Sequence, residues 1–390
     1  MSQAEFEEIY LDNNASTPPL PEVREAMLTA MGAEFGNPSS AHSLGGRGKR
    51  LLNNAREQVA TLAGARPENL YFSGSGTEAN NWAILSAVAQ HPDRKRLVTT
   101  PIEHSSVLAM VRHLEQAKGM EVCYVPVRPD GQVDLEGLKG LVTPDTAVVS
   151  VQWVNNETGV FQPVEEIAQF CREQGVPFHT DGAQAIGKGP MAWDQVAPDY
   201  LTFTAHKLHG PQGVGTLVAH PGAEVLNLFY GGGQESGRRP GTENLPGIVG
   251  FGQAAAMRGQ RLADICEKMS RLRDRFEKGV LQEVPEVEVN GAPEQRVPNT
   301  SNLLFRGVEG QALMARLDQS GILCSQSSAC TNSRPEPSYV LRAMGLPEEE
   351  AYASVRFSFS ELNTADEVDR AVDQVAEIVE RLRAFLRFGA

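Results

Sequence analysis

The sequence predicts an α/β protein: a mostly parallel sheet flanked by helices, followed by a smaller part with an antiparallel strand. Three observations carry this. Short apolar runs alternate with amphipathic stretches through the first two thirds of the chain. At least five of the apolar runs lead into polar residues, at Ser73, His104, Asn155, Asp181 and His206. Near the end, Ser354 to Ser360 alternates strictly, with Ser354, Arg356, Ser358 and Ser360 on one face and Val355, Phe357 and Phe359 on the other. That pattern predicts a half-buried antiparallel strand. Open α/β sheets bind ligands at the carboxyl ends of their strands, so the five polar strand ends predict a site along one edge.

Composition limits the function. A chain of 390 residues has room for two or three domains. A net charge of −14 argues against nucleic acid or an anionic membrane as the main partner. No apolar run reaches the ~18 residues of a membrane span. The acidic start, Met1 to Glu8, resembles neither a secretory signal nor a transit peptide. Five irregularly spaced cysteines make no disulfide framework, and free thiols fit a reducing cytoplasm.

In chain order, Ile9-Tyr10-Leu11 reads as a strand ending in the turn-forming Asp12-Asn13-Asn14-Ala15. Pro18, Pro19 and Pro21 lead into a helix with Val23, Met27 and Ala30 on one face. Gly36 to Ser40 is a loop, and Leu51, Ala55, Val59 and Leu62 mark the next helix. The strand Leu70-Tyr71-Phe72 runs into Ser73-Gly74-Ser75-Gly76-Thr77-Glu78, which opens a helix. Free N–H groups and the positive dipole end there suit a phosphate. Gly74-x-Gly76-x-x-Ala79 also fits a loose dinucleotide fingerprint, but its acidic partner would be Asp93, in a loop rather than at a strand end. No G-K-[ST] follows, which excludes a P-loop.

Arg96 to Thr100 is a strand that brings His104 to the same edge, as either a loop histidine or a ring above a planar cofactor. Strands Glu121–Val125 and Ala147–Gln152 follow, the second leading to Asn155-Asn156-Glu157-Thr158-Gly159, then a helix from Val164 to Gln174. Two further runs, Val176–Thr180 and Tyr200–Thr204, end at Asp181 and at Ala205-His206-Lys207. A lysine able to lose its proton is the usual Schiff-base nucleophile. A carboxylate is the usual partner of the pyridinium nitrogen of pyridoxal phosphate. A surface lysine and a helix-capping aspartate fit these two residues equally well. The glycine-rich loop Gly231–Asn244 carries Arg238, Arg239 and Pro240, more chemistry than a linker needs.

One long helix is expected from about Gly250 to about Gly279, with the main domain boundary at its start. Thr300–Phe305 reads as a strand and Gly310–Leu317 as a helix. A run of small polar residues from Gly321 to Ser333 holds Cys324 and Cys330. Thr364 with Glu367 forms a capping box, opening a helix that buries Val368, Val372, Val375, Val379 and Leu382. Cys324 follows an apolar strand end and reads as a buried thiol with a raised pKa, whereas Cys330 lies in a solvated loop that favours the thiolate.

The motifs YLDNNAST, FGNPSSAHS, SGSGTEANN, IEHSSV, WVNNETG, FHTDGAQAIGK, AHKLHGPQGVG, GGGQESGRRPGTEN, SSACTNSRPEPSYVLRAMG and VRFSFS span nearly the whole chain. In that order they resemble the cysteine desulfurases of the NifS/IscS type, class V aminotransferases of PLP fold type I. The resemblance implies a large domain over residues 15–255 with a mostly parallel seven-stranded sheet. It implies a small α+β domain from residues 1–14 and 256–390, carrying a mobile cysteine loop at about 323–335.

It implies roles as well. Lys207 would carry pyridoxal 5′-phosphate, Asp181 would pair with the ring nitrogen, Gln184 with the ring hydroxyl, and His104 would stack on the ring and take part in catalysis. Gly76, Thr77, Thr204 and His206 would hold the phosphate, with Thr242 reaching in from the second subunit of a homodimer. Asn155, Arg356 and Asn13 would bind the substrate, Asn155 also lying against the cofactor. Cys330 would take the sulfur of L-cysteine as a persulfide and pass it to an iron–sulfur scaffold or another acceptor, leaving alanine. No metal is implied.

The cysteine loop departs from the family's usual SSGSACTS: it reads Ser325-Gln326-Ser327-Ser328-Ala329-Cys330-Thr331-Asn332, with Cys324 as an extra thiol. That puts its mobility and acceptor preference in question. A selenocysteine lyase and a sulfur donor for tRNA or cofactor thiolation remain alternatives. Cys330 argues against an aminotransferase, which needs no thiol. Intact Lys207, Asp181 and Cys330 argue against a non-catalytic scaffold.

Overall fold

The computed structural model describes residues 8–190, 193–326 and 336–388. The chain starts with β1 (Ile9–Tyr10), α1 (Pro21–Met31) and α2 (Ser43–Ala63). Alternating elements follow: β2 (Leu70–Ser73), α3 (Gly76–Gln90), β3 (Arg96–Thr99), α4 (Ser105–Lys118), β4 (Glu121–Tyr124), α5 (Leu135–Leu141), β5 (Thr146–Ser150), α6 (Val164–Gln174), β6 (Phe178–Asp181), α7 (Trp193–Val196), β7 (Tyr200–Thr204) and β8 (Gly215–Ala219). The seven strands β2 to β8 form one sheet in the order β2-β8-β7-β6-β5-β3-β4.

All neighbouring pairs in this sheet are parallel except those made by β8, which runs antiparallel to both β7 and β2. β8 is absent from the sequence-based strand assignment. Its apolar run is short and follows a glycine-rich turn, so no strong strand signal marks it. Its effect on the site is large, because β7, the loop 205–214 and β8 make a hairpin whose loop carries Lys207. Gly215 is required where β8 begins: a Cβ there would meet the Ser75 carbonyl carbon at 2.4 Å.

The parallel strands are apolar on both faces because helices cover both. One face packs Phe72, Val98, Val149, Phe178 and Phe203 against α2, α6 and α8 (Leu245–Gln260). The other packs Leu97, Val148, Tyr200 and Leu217 against α3 and α4. Neighbours such as Val148 and Val149 fall on opposite faces, as the two-residue strand period requires.

A second core lies beyond α8. It comprises α9 (Leu262–Glu283), β9 (Val287–Val289), β10 (Thr300–Phe305), α10 (Gly310–Gln319), β11 (Ile322–Leu323), β12 (Ser354–Ser358) and α13 (Ala365–Phe388), while α11 (Tyr339–Ala343) and α12 (Glu348–Tyr352) pack in a smaller cluster with Ile102. β12, β10 and β9 form a three-stranded antiparallel sheet, and β1 pairs in parallel with β11. Phe276, Phe357 and Phe359 centre this core, under Val368, Val375 and Val379 of α13. The capping box forms as read: Glu367 N–H donates to Thr364 Oγ1 at 3.2 Å, and Thr364 N–H donates to Glu367 Oε2 at 2.9 Å.

Two expectations change here. The single long helix is two, α8 and α9, broken at Arg261 with φ −124° and ψ 18°. α8 packs on the first core and α9 on the second, so the chain must turn between them. β12 is not half-buried: every residue from Ser354 to Ser358 is buried. Its polar face meets protein, with the Ser358 hydroxyl accepting from Asn14 N–H at 2.8 Å. Glu361, just after β12, ties the two cores together. Its carboxylate lies 3.2 Å from His209 Nε2 in the lysine loop and 3.1 Å from Arg258 Nη2 on α8. Burial alone would raise its pKa, but His209 and Arg258 hold it down at about 2.

Candidate functional site

The five polar strand ends lie at one edge of the large sheet, because β2, β3, β5, β6 and β7 all run in the same direction. The glycine-rich turn before α3 lies against the β7–β8 hairpin through Gly215. Ser75 caps α3 by accepting from Glu78 N–H at 3.1 Å. Gly76 stands beside Thr204, and Thr77 is exposed at the helix end. Thr204 donates its hydroxyl to the Val214 carbonyl at 2.8 Å, which leaves its oxygen free to accept. This helix N-terminus meets the requirements of a phosphate site.

Asp181 closes β6 and is nearly buried. Its Oδ1 accepts from Ala183 N–H at 2.9 Å and its Oδ2 from Asn80 Nδ2 at 2.7 Å. The other Asn80 N–H goes to Ser106 Oγ at 2.9 Å, and Ser106 Oγ lies 2.8 Å from His104 Nδ1. Thr202 donates its hydroxyl to Asn80 Oδ1, which fixes the amide's orientation. His104 Nδ1 also accepts from Ser106 N–H at 3.2 Å, so its ring proton sits on Nε2. Burial lowers the His104 pKa and keeps the ring neutral. Behind them His179, 2.8 Å from Ser150 Oγ, is lowered by burial to about 4.

Lys207 donates to the carbonyls of Asn14 and of Ala15, the latter at 2.8 Å. Burial and then Arg356 lower its amine to about 8, against the opposing pull of Asp181 and Asp12. Far more of this lysine is therefore neutral near physiological pH than of an ordinary lysine, as suits a nucleophilic amine. His206, beside it, is lowered to about 4 by burial and by Lys207, His104 and Lys188.

The remaining predicted residues are placed as follows. Gln184 Nε2 donates to the Asn14 carbonyl at 3.0 Å, the same oxygen that Lys207 uses. Arg356 reaches across from β12 and pairs with Asp12. Asn155 is engaged in its own turn: its Oδ1 accepts from the N–H groups of Glu157 and Thr158, both at 2.9 Å, and its Nδ2 donates to the Ile102 carbonyl. Asn13 donates to the Tyr10 and Ser358 carbonyls, so its amide nitrogen is directed at the second core. Thr242 is exposed on the 231–244 loop and lines a cavity with Ser73, Gly74 and Gly213 of its own chain. Glu235 anchors that loop, pairing with Arg56 at 2.6 Å and accepting from Phe72 N–H at 2.9 Å, while Glu235 and Ser236 hold left-handed φ of 46° and 57°. Cys330 lies outside the described residues.

Sequence reasoning missed Asn14, Asn80, Lys188 and Asp12. Asn14 is the hub of the site: besides the contacts above it donates to Thr300 Oγ1 at 2.8 Å, and its Oδ1 accepts from Asn299 Nδ2 at 3.0 Å and Lys188 Nζ at 2.9 Å. Asn14 and Asn80 each stand beside a second asparagine in their motifs, and nothing local says which one turns inward. Among the described residues no group of three or more His, Cys, Asp or Glu side chains is arranged to hold a metal.

These residues fit pyridoxal phosphate: a depressed amine, a fixed carboxylate, a neutral histidine and a helix N-terminus meet around one space. The comparisons agree. The aminotransferase class-V family matches residues 9–371. A cysteine desulfurase of Trichormus azollae is 44% identical over 380 residues, 97% of this chain and 95% of that protein. The cysteine desulfurase NifS of Azotobacter vinelandii is 43% identical, over 96% and 94%. A solved NifS-like protein superposes with a TM-score of 0.90 at 35% identity, covering 96% of this chain and all of that one.

Proposed function

This chain belongs to the aminotransferase class-V family, and from that premise we propose which of its residues perform each part of the work. The protein is a pyridoxal 5′-phosphate-dependent cysteine desulfurase, converting L-cysteine to L-alanine and delivering sulfur for iron–sulfur cluster assembly. When bound, the cofactor supplies an electron-withdrawing ring that makes loss of the substrate Cα proton easy. Lys207 would hold the cofactor through its amine and would carry the substrate Cα proton. Asp181 holds the ring-nitrogen proton, and the Asn80 and Ala183 N–H bonds keep its carboxylate oriented for that. Neutral His104 covers the ring. The N-terminus of α3, with Gly76, Thr77, Thr204 and His206, holds the phosphate. Gln184 donates to the ring oxygen. Arg356 holds the substrate carboxylate, with Asn155 and Asn13 beside it. Cys330 takes the substrate sulfur as a persulfide while alanine leaves.

Several features support a homodimer in which Thr242 serves the partner's site. Met31 and Phe35 are 62% and 68% exposed. They line a depression with Thr242, Leu245 and Pro246. Tyr230, at the entry to the same loop, is 93% exposed. Apolar surface gathered around one loop is the mark of an interface. The two hydrophobic cores support a division into domains near residue 255, with the first residues joining the second core through β1. The acceptor is an iron–sulfur scaffold protein in this reading. A cytoplasmic setting is supported by the four free cysteines among the described residues.

The observation that carries the assignment is the depressed Lys207 amine on the same sheet edge as the Asp181 carboxylate. Purified protein should be yellow, form alanine and sulfide from cysteine, and yield a pyridoxyl-labelled peptide at Lys207 after borohydride reduction. A label at Lys188 or Lys268 instead would remove Lys207 from its role.

A further inference from the structure

Lys188 has no part in the mechanism above, yet it lies at the floor of the site, 4% exposed. Its Nζ donates to Asn14 Oδ1 at 2.9 Å and to Gln184 Oε1. Both acceptors are neutral amide oxygens, and a fully buried lysine without a carboxylate bonded to it is rare. The charged groups facing it are cations from three elements: Lys207 on the hairpin loop, Arg258 on α8 and Arg356 on β12. Burial first, then these three, push its pKa well below the ordinary lysine value.

The two ends of a glutamine amide are nearly the same size, so its partners decide which way it points. Here the Lys188 N–H claims Oε1. The N–H end is left to face the Asn14 carbonyl, the oxygen that also receives Lys207 Nζ. Asn14 is held by the same amine through Oδ1. One donor therefore holds the side-chain amides of both Gln184 and Asn14, the residue whose backbone carbonyl receives Lys207 Nζ.

We propose that Lys188 is a positioning residue: by donating to Gln184 Oε1 and Asn14 Oδ1 it turns the N–H end of Gln184 toward the cofactor, where it donates to the ring oxygen of bound pyridoxal phosphate. This rests on the roles given above to Gln184 and Lys207. A donor on that oxygen favours its deprotonated form. Loss of the donor raises the pH at which the bound cofactor's absorbance changes.

The test is a double-mutant cycle on the cofactor-loaded enzyme: wild type, Lys188→Met, Gln184→Ala and the double variant, each titrated by absorbance against pH and by cofactor dissociation constant. Lys188→Met keeps most of the buried stem and removes the donor. Its midpoint should rise by about one unit, Gln184→Ala should rise similarly, and the double variant should not exceed Gln184→Ala. An unchanged midpoint in Lys188→Met overturns the proposal. So does a full Lys188→Met shift on the Gln184→Ala background, which would mean that the lysine acts on the cofactor directly. Lys188→Leu, equally without a donor, replaces the Met variant if that one does not fold. A wild type that binds no pyridoxal phosphate and leaves cysteine unchanged would instead overturn the functional reading beneath.

Discussion

Arg356 and Asp12 form an ion pair at 2.6 Å between Nη2 and Oδ1, at the junction of the two cores. Nη1 of the same guanidinium donates to the Asn156 carbonyl at 2.9 Å, and its Nε is buried with no partner among the described residues. If Arg356 holds the substrate carboxylate as proposed, Asp12 occupies one arm of the fork that the substrate would need.

A competitor and an orienting group give opposite results on removal. If Asp12 competes, Asp12→Asn should lower KM for cysteine several-fold, because substrate no longer displaces a charged partner. Arg356→Lys should raise KM by about tenfold or more, since a lysine cannot reproduce a two-point contact. Steady-state kinetics on both variants decide the matter. A rise in KM for Asp12→Asn as large as that for Arg356→Lys would make Asp12 an orienting residue.

Lys207 carries a pH signature. Cofactor attachment requires the neutral amine, so the rate at which cofactor-free protein takes up pyridoxal phosphate should rise with pH through about 8 and level above it. Linkage gives the stability counterpart. Between the folded value of about 8 and the unfolded value near 10.5, the unfolded chain binds more protons, so cofactor-free protein gains stability from this group as pH rises. Stopped-flow absorbance would locate the midpoint, and one near 10.5 would show that the amine is not perturbed.

Asn80 joins Asp181 to the Ser106–His104 pair through both its N–H groups. Asn80→Ala removes a hydrogen bond to a charged carboxylate, a loss of about 1.5–3 kcal/mol. The cofactor dissociation constant should rise by about tenfold or more, with little change in KM for cysteine at saturating cofactor. A shift in KM alone would place Asn80 on the substrate side.

How much of this was legible follows from distance along the chain. β6 and β7 show as apolar runs ending at Asp181 and Lys207, because strand signals are local. β8 lacked such a signal, and the turn at Arg261 reflects a choice between two cores that no window of sequence contains. The side chains that organise the site were hidden for a similar reason. Asn14 meets Thr300 across 286 positions, and Asn80 meets Asp181 across 101. The polar face of β12 matched a solvated strand until the rest of the chain covered it.

The last prediction concerns which thiol receives sulfur. Cys324 follows β11, and burial, with Asp12 adding to it, pushes its thiol up to about 12 in spite of Arg356. Near pH 8 only about one part in ten thousand of such a thiol is the nucleophilic thiolate. Cys330, six positions on among small polar residues, belongs to a stretch with no comparable apolar neighbour in sequence. An unshifted thiol has a pKa of about 8.5 and ionises readily at that pH. Cys330→Ser should therefore bind the cofactor and substrate with unchanged colour yet release almost no sulfide, whereas Cys324→Ser should keep most of its turnover. Since Cys324 packs against the second core, its replacement should lower stability by about 1 kcal/mol. Mass spectrometry after a brief cysteine pulse should find the added 32 Da of about one sulfur atom on the peptide carrying Cys330. Sulfur found on Cys324, or turnover surviving in Cys330→Ser, would show that the transfer runs through a different thiol from the one assigned.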